Sequence, residues 1–81
     1  MIEYKNKIRE FIIENFLYGE TDGLKDDSSF IEEGIIDSTG VLELVEFLEK
    51  EFEVSVEDEE IIPENLNSIE NTAKYISQKL G

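Results

Sequence analysis

Eighty-one residues carry 21 acidic against seven basic side chains, a formal charge of −14, and contain no cysteine, histidine or tryptophan. That inventory excludes thiol nucleophiles, disulfides, Cys/His zinc sites and histidine acid–base catalysis. The charge repels nucleic acid phosphates and anionic lipid headgroups and favours protein partners with basic patches, so neither nucleic acid nor membrane is expected as a partner. With 40% apolar residues, including five Phe and three Tyr, the chain can build one small core, which sets the expectation of a single domain over 1–81. No apolar run near Met1 has the length of a signal peptide or a membrane span, so a soluble, cytoplasmic monomer is expected.

From Ile2 to Leu17, Ile8, Phe11, Ile12 and Phe16 recur every three or four residues with Glu3, Lys7, Glu10 and Glu14 between them, the pattern of an amphipathic helix ending near Tyr18-Gly19. The stretch from Gly19 to Gly34 keeps no period and reads as a long loop. Its apolar islands, Leu24, Phe30 and Ile31, with Ile35 and Ile36 just beyond, predict a loop packed down by its own side chains. A second helix starts at Asp37-Ser38, with Val41, Leu44, Val45, Leu48 and Phe52 facing the core, Glu43, Glu46, Glu49 and Lys50 on the opposite side, and Leu42 and Phe47 off the core stripe. Val54 and Val56 form a short alternating piece before the acidic run Glu57 to Glu60, and Pro63 restricts any helix between Glu57 and Leu66 to one or two turns. A last helix is expected from Asn67 as its cap, with Glu70 as capping-box partner and Ile69, Ala73, Ile76 and Leu80 as the buried stripe. Tyr4, Tyr18 and Tyr75 are expected at the rim of the core. Nothing supports a sheet, so the fold class is all-α: a small four-helix bundle of three main helices and one short helix, with a long first loop.

The acidic run reads as a solvated face. Asp22, Asp26 and Asp27 lack the spacing of a calcium loop and its closing glutamate, and no metal site is assigned. Asp37 and Ser38 together are more than a helix start requires, since either can accept a hydrogen bond from a first-turn amide. With Asp37 as the cap, the Ser38 hydroxyl is free at the positive end of the helix dipole, where a phosphate ester is favoured.

Gly34-Ile35-Ile36-Asp37-Ser38, followed by a helix rich in Leu, Val and Glu that ends in Glu51-Phe52, resembles the acyl carrier protein family over nearly the whole chain. The resemblance implies a four-helix fold and a non-catalytic carrier. It also implies a 4′-phosphopantetheine arm on Ser38, installed by a phosphopantetheinyl transferase, whose thiol holds acyl groups as thioesters for fatty-acid, polyketide or related biosynthesis. It further implies that the second helix docks acyl or aminoacyl ligases and synthases bearing basic patches, through Asp37, Thr39, Leu42, Glu43, Glu46 and Glu49. Thr39 stands where the family usually has leucine, and Gly40 where an acidic residue is frequent. Asp-Ser-x-Gly is similar to dedicated D-alanyl and other aminoacyl or peptidyl-type carriers, which is one alternative. An acidic adaptor that works unmodified on a basic protein partner is the other.

Overall fold

The computed structural model describes residues 2–19 and 23–81. The periodic segments fold as helices there: α1 (Ile2–Phe16), α2 (Ser38–Phe52), α3 (Pro63–Leu66) and α4 (Ile69–Leu80), with a 3₁₀ turn at Asp58–Glu60 ahead of α3 and no strand among the described residues. None of these helices is long and apolar enough to cross a membrane. Pro63 occupies the first turn of α3, where its missing N–H costs nothing, and the helix lasts a single turn, as the proline suggests.

Burial of the apolar stripes explains how the helices assemble. Ile8 and Ile12 from α1, Leu44, Val45 and Leu48 from α2, Leu66 from α3, and Ile69, Ala73 and Ile76 from α4 meet in one core. α4 packs against both α1 and α3. The seam between α1 and α2 is aromatic: Phe11 stacks on Phe47 at 4.2 Å between centroids, and Tyr4 meets Phe52 edge-on at 5.5 Å. Such pairs are each worth about 0.5–1.5 kcal/mol beyond the area they bury. Phe47, off the main stripe of its helix, is therefore half-buried rather than solvated.

The long connection is packed down, as its apolar islands predict. Leu24, Phe30 and Ile36 enter the core. Asn67 staples the loop in place: its carbonyl accepts from the Phe30 N–H at 2.8 Å, its Oδ1 from the Ile31 N–H at 3.1 Å, and its Nδ2 donates to Ser29 Oγ at 2.8 Å. Asp26 adds an electrostatic anchor, pairing with Arg9 and Lys5 of α1, while its carbonyl accepts from the Glu70 N–H. Of the carboxylates considered for a cation, Asp22 lies outside the described residues.

Several expectations are corrected. Ser68, not Asn67, caps α4, its Oγ accepting from the Asn71 N–H at 3.0 Å, because the Asn67 amide is committed to the loop. Glu70 gives its N–H to Asp26 and closes no capping box with Asn67. Leu80, placed by period on the buried stripe, is 47% exposed because α4 runs past the end of the core. Ile31 leaves its loop neighbours and is half exposed. Tyr4 does sit at the rim, but Tyr75 is buried and Tyr18 stands 90% exposed.

Tyr75 is buried because it has a polar partner. Its hydroxyl donates to Glu60 Oε1 at 3.0 Å, and the same oxygen accepts from Lys79 Nζ at 2.9 Å and from the Glu57 N–H at 3.0 Å. The acidic run is thus a solvated face except at Glu60, which ties the 3₁₀ turn to α4. The Glu57 amide, then Lys79, hold the Glu60 carboxyl below its ordinary value of 4.5, whereas burial, then the bond to Glu60, raise the Tyr75 phenol above its ordinary value of 10.0. The two shifts have opposite signs in pH. A lowered carboxyl contributes stability that is present above 4.5 and lost as pH falls through its folded value; a raised phenol contributes stability that is present below 10 and lost as pH rises. Melting temperatures followed by circular dichroism should therefore fall on both sides, and Tyr75→Phe should shrink the alkaline loss while costing about 1 kcal/mol near neutrality. An alkaline limb identical in Tyr75→Phe would show that the phenol is not its source.

Candidate functional site

The turn that opens α2 is built from both sides. Ile35 and Ile36 both donate their N–H groups to the Phe30 carbonyl, at 2.8 and 3.1 Å, and Gly34 at φ 70° supplies the left-handed step that lets the chain double back. Ile36 is buried, so the chain enters the helix from a fixed point. Asp37 is extended (φ −99°, ψ −176°), its Oδ1 accepts from the Gly40 N–H at 2.8 Å, and its carbonyl accepts from the Val41 N–H at 3.0 Å. This is an N-cap in both its backbone and side-chain functions. Ser38 is consequently the first helical residue. It is exposed, and its hydroxyl takes part in no hydrogen bond among the described residues.

Two grooves flank this turn. One, of about 590 Å³, is lined by Ser38, Asp37 and an apolar wall made of Ile31, Ile36, Val41, Leu42, Ile61, Ile62, Pro63 and Leu66. It lies between α2 on one side and α3 with its preceding turn on the other. The second, of about 430 Å³, is polar and lies between the end of α1 and the same turn, lined by Asn15, Phe16, Tyr18, Asp37, Thr39, Gly40 and Glu43 among others. Gly40, buried in the first turn of α2, is what allows α1 so close: a Cβ there would stand 2.8 Å from both Ile36 Cγ2 and Phe16 Cε1.

The residues singled out in the sequence divide accordingly. Asp37, Ser38, Thr39, Leu42 and Glu43 cluster at the turn, and Leu42 is 59% exposed on the rim of the apolar groove. Glu46 is exposed farther along α2. Glu49 is half-buried and has an internal partner, its Oε2 accepting from the Val56 N–H at 3.0 Å, which fixes the chain leaving α2. The groove walls Ile31, Ile61, Ile62 and Leu66 were not identified as site residues from sequence. Their signal is the presence of isolated apolar residues in non-periodic segments, which only the fold brings together.

The family model described as "Phosphopantetheine attachment site" matches residues 6–76. A protein named "Probable acyl carrier protein PigG", from Serratia sp., is 32% identical over 91% of this chain and 85% of its own length. Acyl carrier proteins of Bdellovibrio bacteriovorus and Petrotoga mobilis are each 33% identical, over 90% of this chain and 90% of the former, and over 98% of this chain and 89% of the latter. An exposed hydroxyl at a positively polarised helix start, beside an apolar groove, suits the attachment of such a group. The chain belongs to the acyl carrier protein family, whose members are non-catalytic carriers built on a phosphopantetheine attachment domain.

Proposed function

We propose that the chain is a single-domain, soluble cytoplasmic carrier in which Ser38 bears the 4′-phosphopantetheine arm. The observation that carries this is the division of labour at the start of α2: Asp37 alone caps the helix, and the next hydroxyl is left exposed at its positive end. When bound, the group supplies a terminal thiol that holds acyl cargo as a thioester. Ser38 provides the ester oxygen: a phosphopantetheinyl transferase forms one P–O bond to Oγ from coenzyme A, the adenosine bisphosphate half leaves and the hydroxyl proton passes to solvent. Asp37 holds the turn, and the apolar wall from Ile31 to Leu66 favours a hydrocarbon cargo over a small aminoacyl group. The transferase and the ligases or synthases that follow are recognised by Thr39 and Leu42 together with the exposed carboxylates Glu43 and Glu46, which complement basic patches. Glu49 contributes to the same field while holding Val56.

Intact-mass measurement tests the assignment. Apo protein incubated with coenzyme A, magnesium and a phosphopantetheinyl transferase should gain a single phosphopantetheine. Ser38→Ala should gain none and keep its helical circular dichroism, because Asp37 still caps α2. Modification of the Ala variant, or none of the wild type, overturns the assignment, and the latter result leaves the unmodified acidic adaptor.

A further inference from the structure

Glu60 makes two sets of bonds that point in opposite directions. Its side chain reaches α4, where Oε1 accepts from the Tyr75 hydroxyl at 3.0 Å and from Lys79 Nζ at 2.9 Å. Its backbone carbonyl reaches the residues that follow, accepting from the Ile62 N–H and from Asn65 Nδ2, each at 2.9 Å. Ile61, Ile62 and Leu66 belong to the wall of the apolar groove, whereas Glu60, Tyr75 and Lys79 line no part of it. The far end of that wall is held at Asn67, through its bonds to residues 29–31. Between the two fastenings the only regular structure is the single turn of α3, so the position of the wall depends on them. α4 is a firm anchor: Ile69, Ala73 and Ile76 are wholly buried, and Tyr75 is 4% exposed.

We infer that Glu60, which touches no cargo, is a positioning residue that sets the length of hydrocarbon the groove accepts, by tying its wall to α4. The inference rests on the assignment of Ser38 and on a hydrocarbon cargo. A wall held in place makes close contact with a chain that fits and excludes a longer one. A wall that yields loses contact with the first and admits the second. The tie works by hydrogen bonding rather than by charge. Lys79 and Glu60 are both partly exposed, so their ion pair adds little, while the buried Tyr75 hydroxyl has no other partner among the described residues. Glu60→Gln keeps the accepting oxygen and with it the tie; Glu60→Ala and Tyr75→Phe remove it.

Two measurements test this. In the apo protein, amide exchange at Leu66 should quicken about fivefold in Glu60→Ala and in Tyr75→Phe, the value of one lost hydrogen bond. In the loaded protein, Ser38 is charged by a transferase from acyl-coenzyme A of increasing chain length, and the lifetime of the thioester against hydroxylamine is followed. Wild-type lifetimes should rise with each methylene buried and level off at the length the groove holds. Both variants should shorten the lifetime of the best-protected chain by about three- to fivefold and move the plateau to chains about two carbons longer. Glu60→Gln should match the wild type in both readings. Ile8→Val, a change in the core on α1, should lower the melting temperature and move neither. Tyr75→Phe deletes a single oxygen, so the test does not depend on Glu60→Ala folding. Unchanged Leu66 exchange in Tyr75→Phe, a plateau there at the wild-type length, or one that Ile8→Val moves as far, overturns the inference and leaves Ser38 assigned. So does a wild-type lifetime that ignores chain length. A wild-type protein that takes up no acyl-phosphopantetheine removes the Ser38 assignment and the inference together.

Discussion

Phe30→Ala should lower the unfolding free energy by about 3–5 kcal/mol, the usual cost of emptying a buried aromatic site. For a domain of this length, total stability is on the order of 4–12 kcal/mol, so a large share is lost. The loss falls on an unusual place, because Phe30 belongs to a connection rather than a helix. Its ring is 1% exposed, its N–H goes to the Asn67 carbonyl and its own carbonyl accepts from both Ile35 and Ile36. Removing the ring therefore weakens the join between the loop and the α3–α4 corner as well as the core. Urea unfolding should show a lower midpoint with little change in slope, and Phe30→Leu should recover most of the difference. A cost below about 1 kcal/mol would mean that the loop is not part of the core.

Gly40→Ala should destabilise the protein, against the general rule. In an open helix the change from glycine to alanine gains about 1 kcal/mol. Here the added methyl would stand 2.8 Å from Ile36 Cγ2 and from Phe16 Cε1, and Ile36 cannot retreat because it is buried with its amide bound to Phe30. Overpacking of this kind costs about 1–3 kcal/mol, enough to reverse the sign. Phe16→Leu in the Gly40→Ala background should recover part of that loss by making room, a coupling that two independent destabilisations would not show. Thermal melts of the two singles and the double decide the matter. A Gly40→Ala protein more stable than wild type would show that α1 gives way freely.

Local signals in the sequence carried the helices and the candidate modification turn, because an apolar period and an Asp-Ser pair each state their own geometry within a few residues. What required the fold was pairing at a distance. Asn67 and Ser68 are equally good caps by type, and only the demand of residues 29–31 for a partner assigns the cap to Ser68. Glu60 looks like any member of its acidic run until Tyr75 and Lys79 arrive from α4. The apolar groove escaped for the same reason: Ile31, Ile61 and Ile62 share no period and become a wall only when the loop and the turn before α3 face α2. Leu80 erred the other way, since periodicity reports which way a side chain points but not where the core stops.

The single turn of α3 has a consequence for how the apolar groove behaves in time. A helix of four residues has no cooperative stability of its own, and α3 contributes only Leu66 to the buried core. α1, α2 and α4 hold one another through extended stripes, so the wall formed by Ile62, Pro63 and Leu66 is the part of the cleft that can come away without unfolding the rest. Amide hydrogens of Asn65 and Leu66 should exchange through small local openings, orders of magnitude faster than that of Ile76 at the centre of α4. Exchange in that order would make the volume of the cleft beside Ser38 a property of the α3 wall alone, with α1, α2 and α4 keeping their places.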